Sequence, residues 1–178
     1  MIKLEKTISA TFCLHSELSE TDKRLFGAAM DARAKAQAPY SHYVVGAAVS
    51  TYHGGSKRIF SGCNVERASY TQTTHAEQNA IDSMIAFLGT KKIFEVCVVG
   101  AHESKEIKFA EKGITTFSSV EQTPVPCGHC LQIIWENCMG DPNVKLMSVT
   151  NDGIVTSTTI GDAFPMRFGP KDLGIEYK

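Results

Sequence analysis

Four residues could do chemistry together if the fold brought them to one place: His75 and Glu77, and Cys127 and Cys130. The spacing of Cys127-Gly128-His129-Cys130 is about one helical turn, so both sulfurs can reach one ion at the start of a helix. There the partial positive charge of the helix end favours the thiolate. His75 and Glu77 do not share a helix face, and they can serve a common site only if it lies off the end of their helix. Two thiolates and one neutral imidazole are donors of the kind zinc takes, and three protein ligands leave a fourth position open to water. The two thiolates would cancel the charge of the ion, leaving a near-neutral centre that still lowers the pKa of water towards ~7. Glu77 would then be the base that moves a proton between water and substrate.

Each of these residues also has a plainer reading. Thr74 with Glu77 fits the capping box T-x-x-E, which would explain the glutamate structurally. A C-x-x-C pair can be a redox couple or half of a structural zinc site. A structural site needs a fourth protein ligand, and His129 is expected to point away from the two sulfurs. Cys13, Cys63, Cys97 and Cys138 have no ligand spacing and read as small hydrophobes. His53 and His102 read as solvated.

The elements that must position these residues can be followed along the chain. Leu25, Phe26, Ala29, Met30, Ala32 and Ala36 recur at helical spacing over 20–37, behind Ser19 or Thr21 as caps and before Pro39. Two apolar runs, 43–51 and 58–63, flank the turn signal Gly54-Gly55 and predict a hairpin. A helical stripe over 74–88 stops at Gly89, and 94–100 is a continuous apolar run suited to a central strand. Residues 101–126 predict a loop with one helical turn, and 128–138 a short amphipathic helix. Strands over 144–150 and 154–160 meet at Asn151-Asp152-Gly153. This order predicts an α/β protein: a three-layer α/β/α sandwich around a five-stranded mixed sheet whose last two strands are antiparallel. Residues 1–178 are expected to form a single domain, with an N-terminal extension over 1–19 and a C-terminal arm over 164–178.

Composition narrows the partners. The chain has 178 residues, 43% of them hydrophobic, enough for a core without disulfide staples. Eighteen Lys and Arg against nineteen Asp and Glu leave a net charge of −1, which speaks against nucleic acid or a membrane surface as partner. No apolar run reaches the ~20 residues of a membrane span, the N-terminus does not read as a signal peptide, and the six cysteines form no framework. A cytoplasmic protein acting on a small molecule is expected.

His75-Ala76-Glu77 followed by Pro126-Cys127-Gly128-His129-Cys130 has the form H-x-E…P-C-x-x-C of zinc nucleobase deaminases. Ala38-Pro39-Tyr40-Ser41-His42-Tyr43-Val44-Val45-Gly46-Ala47-Ala48 and Gly62-Cys63-Asn64-Val65-Glu66 resemble two further stretches of the cytidine deaminase family. With Phe168-Gly169-Pro170-Lys171-Asp172-Leu173, the resemblance runs from about residue 20 onward. It implies a cytidine deaminase-like fold and hydrolytic deamination of cytidine and deoxycytidine. His75, Cys127 and Cys130 would hold one zinc per subunit. Glu77 would carry a proton from the attacking water to N3 and then to the amine leaving C4. Asn64 and Glu66 would bind the ribose 3′-hydroxyl, the Ala76 backbone would meet the base edge, and Tyr43, usually Phe in the family, would pack on the ring. Phe168 resembles the aromatic residue that closes a site, often across a subunit boundary.

Gln78 follows Glu77 where short members carry Arg, and Leu131 stands where Arg is usual after the second cysteine. With His75 in place of a third thiolate, a neutralising cation is unnecessary. The His-Ala-Glu-Gln form and the Phe168 to Leu173 stretch resemble longer two-domain members, so the chain looks like their catalytic domain alone. A homotetramer is therefore expected, with a homodimer as the alternative. Two rival functions stand beside cytidine deamination: deamination of a modified or antibiotic aminopyrimidine nucleoside, and a non-catalytic zinc-binding homologue.

Overall fold

The computed structural model describes residues 2–111 and 123–176. Its elements are β1 (Thr11–Cys13), α1 (Glu20–Arg33), β2 (Tyr43–His53), β3 (Ser56–Cys63), α2 (Ala76–Leu88), β4 (Glu95–His102), α3 (Gly128–Asn137), β5 (Lys145–Val149), β6 (Val155–Thr159) and α4 (Ile160–Ala163). Two short 3₁₀ turns lie at His15–Glu17 and Pro170–Leu173.

One mixed sheet has the order β1-β6-β5-β4-β2-β3, in which only β4 and β5 run parallel. The expected hairpins 43–63 and 144–160 are both present, and the last two strands are antiparallel as expected. The sheet has six strands rather than five, because Thr11–Cys13 of the N-terminal extension pairs with β6 as an edge strand. Three residues are too few to show an alternating pattern, so the sequence carried no sign of this strand. The expected loop over 101–126 begins as the last residues of β4 and continues without regular structure to residue 111; 112–122 lie outside the described residues.

Strand alternation sends successive side chains to opposite faces, and both faces are covered. Ala48, Cys97, Val99 and Met147 pack under Leu25, Phe26 and Ala29 of α1. Ala47, Val49, Val96 and Leu146 pack on the other face under Ala80, Ile81 and Met84 of α2 and Ile134 and Trp135 of α3. The result is the three-layer sandwich. Helix α1 starts at Ser19, whose hydroxyl accepts the Asp22 N–H at 3.2 Å, with Glu20 and Asp22 suiting the positive helix end. It stops at Arg33, short of residue 37, because the chain is drawn away: the Gln37 N–H donates to the Asn64 carbonyl at 3.0 Å. No helix among the described residues is long and apolar enough to cross a membrane.

Candidate active site

Helices α2 and α3 lie on the same face of the sheet, and both begin beside the carboxyl ends of the parallel pair β4 and β5. That crevice is where open α/β sheets bind ligands. His75 is the N-cap residue of α2 and Cys127 that of α3, and neither side chain caps its helix. Both are therefore free to reach past the helix end. The capping box that is the plainer reading of Thr74 and Glu77 is not made. The Thr74 backbone forms a bridge with Val65, its hydroxyl accepts from Asn79 Nδ2 at 3.3 Å, and Asn79 also donates to the Cys63 carbonyl at 2.7 Å. These bonds tie the first turn of α2 to the end of β3 and leave Glu77 without a structural duty at the cap.

The ligand atoms of His75, Cys127 and Cys130 all lie within 4.8 Å of one another. His75 Nδ1 is 3.5 Å from Cys127 Sγ and 3.3 Å from Cys130 Sγ. A tetrahedral zinc with Zn–S of about 2.3 Å and Zn–N of about 2.0 Å sets N and S about 3.5 Å apart, so the observed spacing fits the ion. The electrostatics agree. Burial pushes the Cys130 thiol up, and Glu77 and Cys127 push it further. So many would-be anions in a partly buried cluster favour a cation to balance them. His129 is exposed and stands apart from the three converging ligand atoms, its ring 5.4 Å from that of His75. Among the other cysteines, Cys97 and Cys138 are buried, and burial raises both thiols, that of Cys138 to about 12. They are packing residues, as expected.

A cavity of about 430 Å³ opens beside the cluster, within the ~300–1,000 Å³ usual for small-ligand sites. It brings together Tyr43, Asn64, Glu66, Ala76, Glu77 and the candidate ligands His75 and Cys127. Glu77 is only 5% exposed, so its carboxyl works in a largely dry environment. Asn64 is half committed to the fold, accepting the Val45 N–H at 2.8 Å and donating to the Tyr43 carbonyl at 2.9 Å. Glu66 accepts the Tyr40 and Ser41 N–H groups at 3.0 and 3.1 Å and the Ser41 hydroxyl. The Ser41 hydroxyl above all, with those two N–H groups, holds the Glu66 carboxyl below its ordinary range against the effect of burial. Tyr43 is half exposed and lies over Gly100, where even a methyl group would come within 3.0 Å of the ring. Phe168 does not line this cavity. It is 57% exposed, and its carbonyl accepts from Gln132 at 3.1 Å. Sequence reasoning missed Ser41 as the partner of Glu66, and it missed Ser148 and Asn151 on the cavity wall.

An imidazole, two thiols and a buried carboxyl, gathered at two helix N-termini over a mixed sheet, define a zinc-binding hydrolytic class of site. The sequence pattern described as "Cytidine and deoxycytidylate deaminase zinc-binding region" matches residues 19–145, and the chain belongs to that family. It is 29% identical over 151 residues to a cytidine deaminase of Sporosarcina psychrophila, an alignment that covers 85% of this chain and 93% of that protein. It is 32% identical over 177 residues to a cytidine deaminase of Vibrio parahaemolyticus, covering 98% of this chain and 46% of the longer relative. Among solved structures, cytidine deaminase from Burkholderia pseudomallei superposes with a TM-score of 0.61 at 32% identity, over 85% of this chain and all of that one.

Proposed function

We propose that this protein hydrolyses cytidine and deoxycytidine to uridine and deoxyuridine with release of ammonia, in cytoplasmic pyrimidine salvage. The observation that carries the reading is one cavity with a candidate metal-ligand triad and the buried carboxyl of Glu77 at one end and Asn64 and Glu66 at the other. His75, Cys127 and Cys130 would hold zinc, which would supply the Lewis acidity that makes water a nucleophile near neutral pH. Glu77 takes the proton of the attacking water, delivers it to N3 of the pyrimidine, and passes it on to the amino group that leaves C4. The Ala76 backbone faces the base edge and the Tyr43 ring packs against the base.

Among the described residues, Glu66 Oε1 accepts only from Ser41 and Asn64 Nδ2 donates only one of its two hydrogens, so each can serve a sugar hydroxyl. An ionised carboxylate there repels a phosphate, which favours a free nucleoside over a nucleotide. The C-terminal arm exposes Met166, Phe168, Leu173 and Ile175, and this apolar surface supports assembly as a homotetramer, or alternatively a homodimer. Phe168 would then close the cavity of a neighbouring copy.

The test is loss of cytidine absorbance with cytidine, deoxycytidine and CMP, with and without a chelator. Cytidine and deoxycytidine should be turned over and CMP not, and the chelator should abolish activity. Glu77→Gln should keep its zinc and its fold and lose ~10²- to 10⁴-fold in kcat. Turnover of CMP but not of cytidine, or a Glu77→Gln enzyme within a few-fold of wild type, would overturn the reading.

A further inference from the structure

Among the described residues, one buried polar side chain in the cavity is used neither by the fold nor by the chemistry above. Ser148, at the carboxyl end of β5, is 8% exposed, lines the cavity, and its hydroxyl has no hydrogen-bond partner among the described residues. It pairs across the parallel ladder with Val98, which lines the cavity with it. The cavity is also lined by Val45, Val98, Pro124, Val125 and Pro126, and by the exposed Asn151 three residues beyond Ser148. That hydroxyl opens on the cavity, where an occupant can supply the hydrogen-bond partner that the fold does not.

The fold says which part of the occupant that is. Helix α2 lies over β2 and β3, so Glu77 approaches from that side, while Ser148 is on β5, beyond β2 and β4. A pyrimidine with C4 at the His75–Cys127 end and N3 towards Glu77 turns its C5 edge away from α2, towards β5. We infer that Ser148 is a specificity-determining residue that hydrogen-bonds a substituent on C5, and that the site accepts cytosine nucleosides carrying a polar C5 group such as hydroxymethyl. This rests on the deaminase reading, because that reading sets the orientation of the ring.

The test compares 5-hydroxymethylcytidine with 5-ethylcytidine, which have the same shape but differ in one hydroxyl. Wild type should favour the hydroxymethyl substrate by about 10-fold in kcat/KM, the ratio that one hydrogen bond supports. Ser148→Ala should bring the ratio to one or below, and Ser148→Thr should restore part of it. The Kd values of the corresponding products, 5-hydroxymethyluridine and 5-ethyluridine, should shift in the same sense without any turnover. A wild-type ratio near one, or a preference that survives in Ser148→Ala, overturns the inference while cytidine turnover leaves the deaminase reading standing. If wild type turns over none of the three cytidines, the deaminase reading falls and the inference falls with it.

Discussion

Glu66 shows how one side chain can serve the fold and the site together. Its carboxylate closes the turn at Tyr40 and Ser41 and faces the cavity, with the Ser41 hydroxyl the largest cause of its lowered pKa. A folded-state pKa below the ordinary value of 4.5 means that the stabilisation is present above that value and is lost as pH falls through the folded one. Ser41→Ala should therefore cost about 1 kcal/mol at pH 7, lowering Tm by roughly 2–4 °C, and raise KM for the nucleoside. The gap in Tm should narrow as pH falls below 4.5 and through the lower folded-state value, since protonation of Glu66 weakens the bond that distinguishes the two proteins. A series of thermal melts from pH 7 down through the acid range checks this, and a gap that does not depend on pH would refute the assignment. The convergence of His75, Cys127 and Cys130 was legible in the sequence because a helix N-terminus imposes a local spacing, as in Pro126-Cys127-Gly128-His129-Cys130. The roles of Ser41 and Ser148 were not, since whether a hydroxyl is buried, paired or orphaned depends on residues far away in the chain.

At the scale of elements, the site depends on how closely two helices approach the sheet, and two glycines set that approach from opposite faces. A Cβ on Gly46 of β2 would come within 2.0 Å of the Ala29 carbonyl in α1, and one on Gly62 of β3 within 2.5 Å of the Ala80 nitrogen in α2. Neither contact can be relieved by a side-chain rotation, so Gly46→Ala and Gly62→Ala should each destabilise by about 1–3 kcal/mol or more. Their consequences for the metal should differ. Displacing α2 moves His75 and Glu77 relative to α3, so Gly62→Ala should reduce bound zinc per chain, while Gly46→Ala, acting through α1, should leave it near the wild-type value. Denaturant melts with metal analysis of the folded protein test this, and equal zinc loss in both variants would refute it. The long elements were legible because α2 carries a helical period and β4 a continuous apolar run of its own. The end of α1 and the existence of β1 were not, because each is decided by a remote partner: Asn64 pulling on Gln37, and β6 offering an edge to Thr11–Cys13.

At the scale of the whole molecule, the apolar arm and the cavity pose one question. Phe168 lies outside the cavity of its own chain, and Met166 beside it is 92% exposed, an exposure that invites cover by another copy. Light scattering should give a mass of four chains, or two for the alternative. If Phe168 closes a neighbour's site, Phe168→Ala should raise KM by about 10-fold or more while leaving zinc content and the mass of the assembly unchanged. Mixing then separates a shared site from a self-contained one. Glu77→Gln chains carry an intact Phe168 but no proton carrier, and Phe168→Ala chains carry Glu77 but no aromatic cover. In assemblies formed by co-refolding the two, some sites combine a Glu77 from one chain with a Phe168 from its neighbour. Those sites should show the wild-type KM, although every chain in the mixture is defective. Activity that merely averages the two variants would mean that each chain builds its cavity alone, and the exposed arm would then have no part in binding the nucleoside.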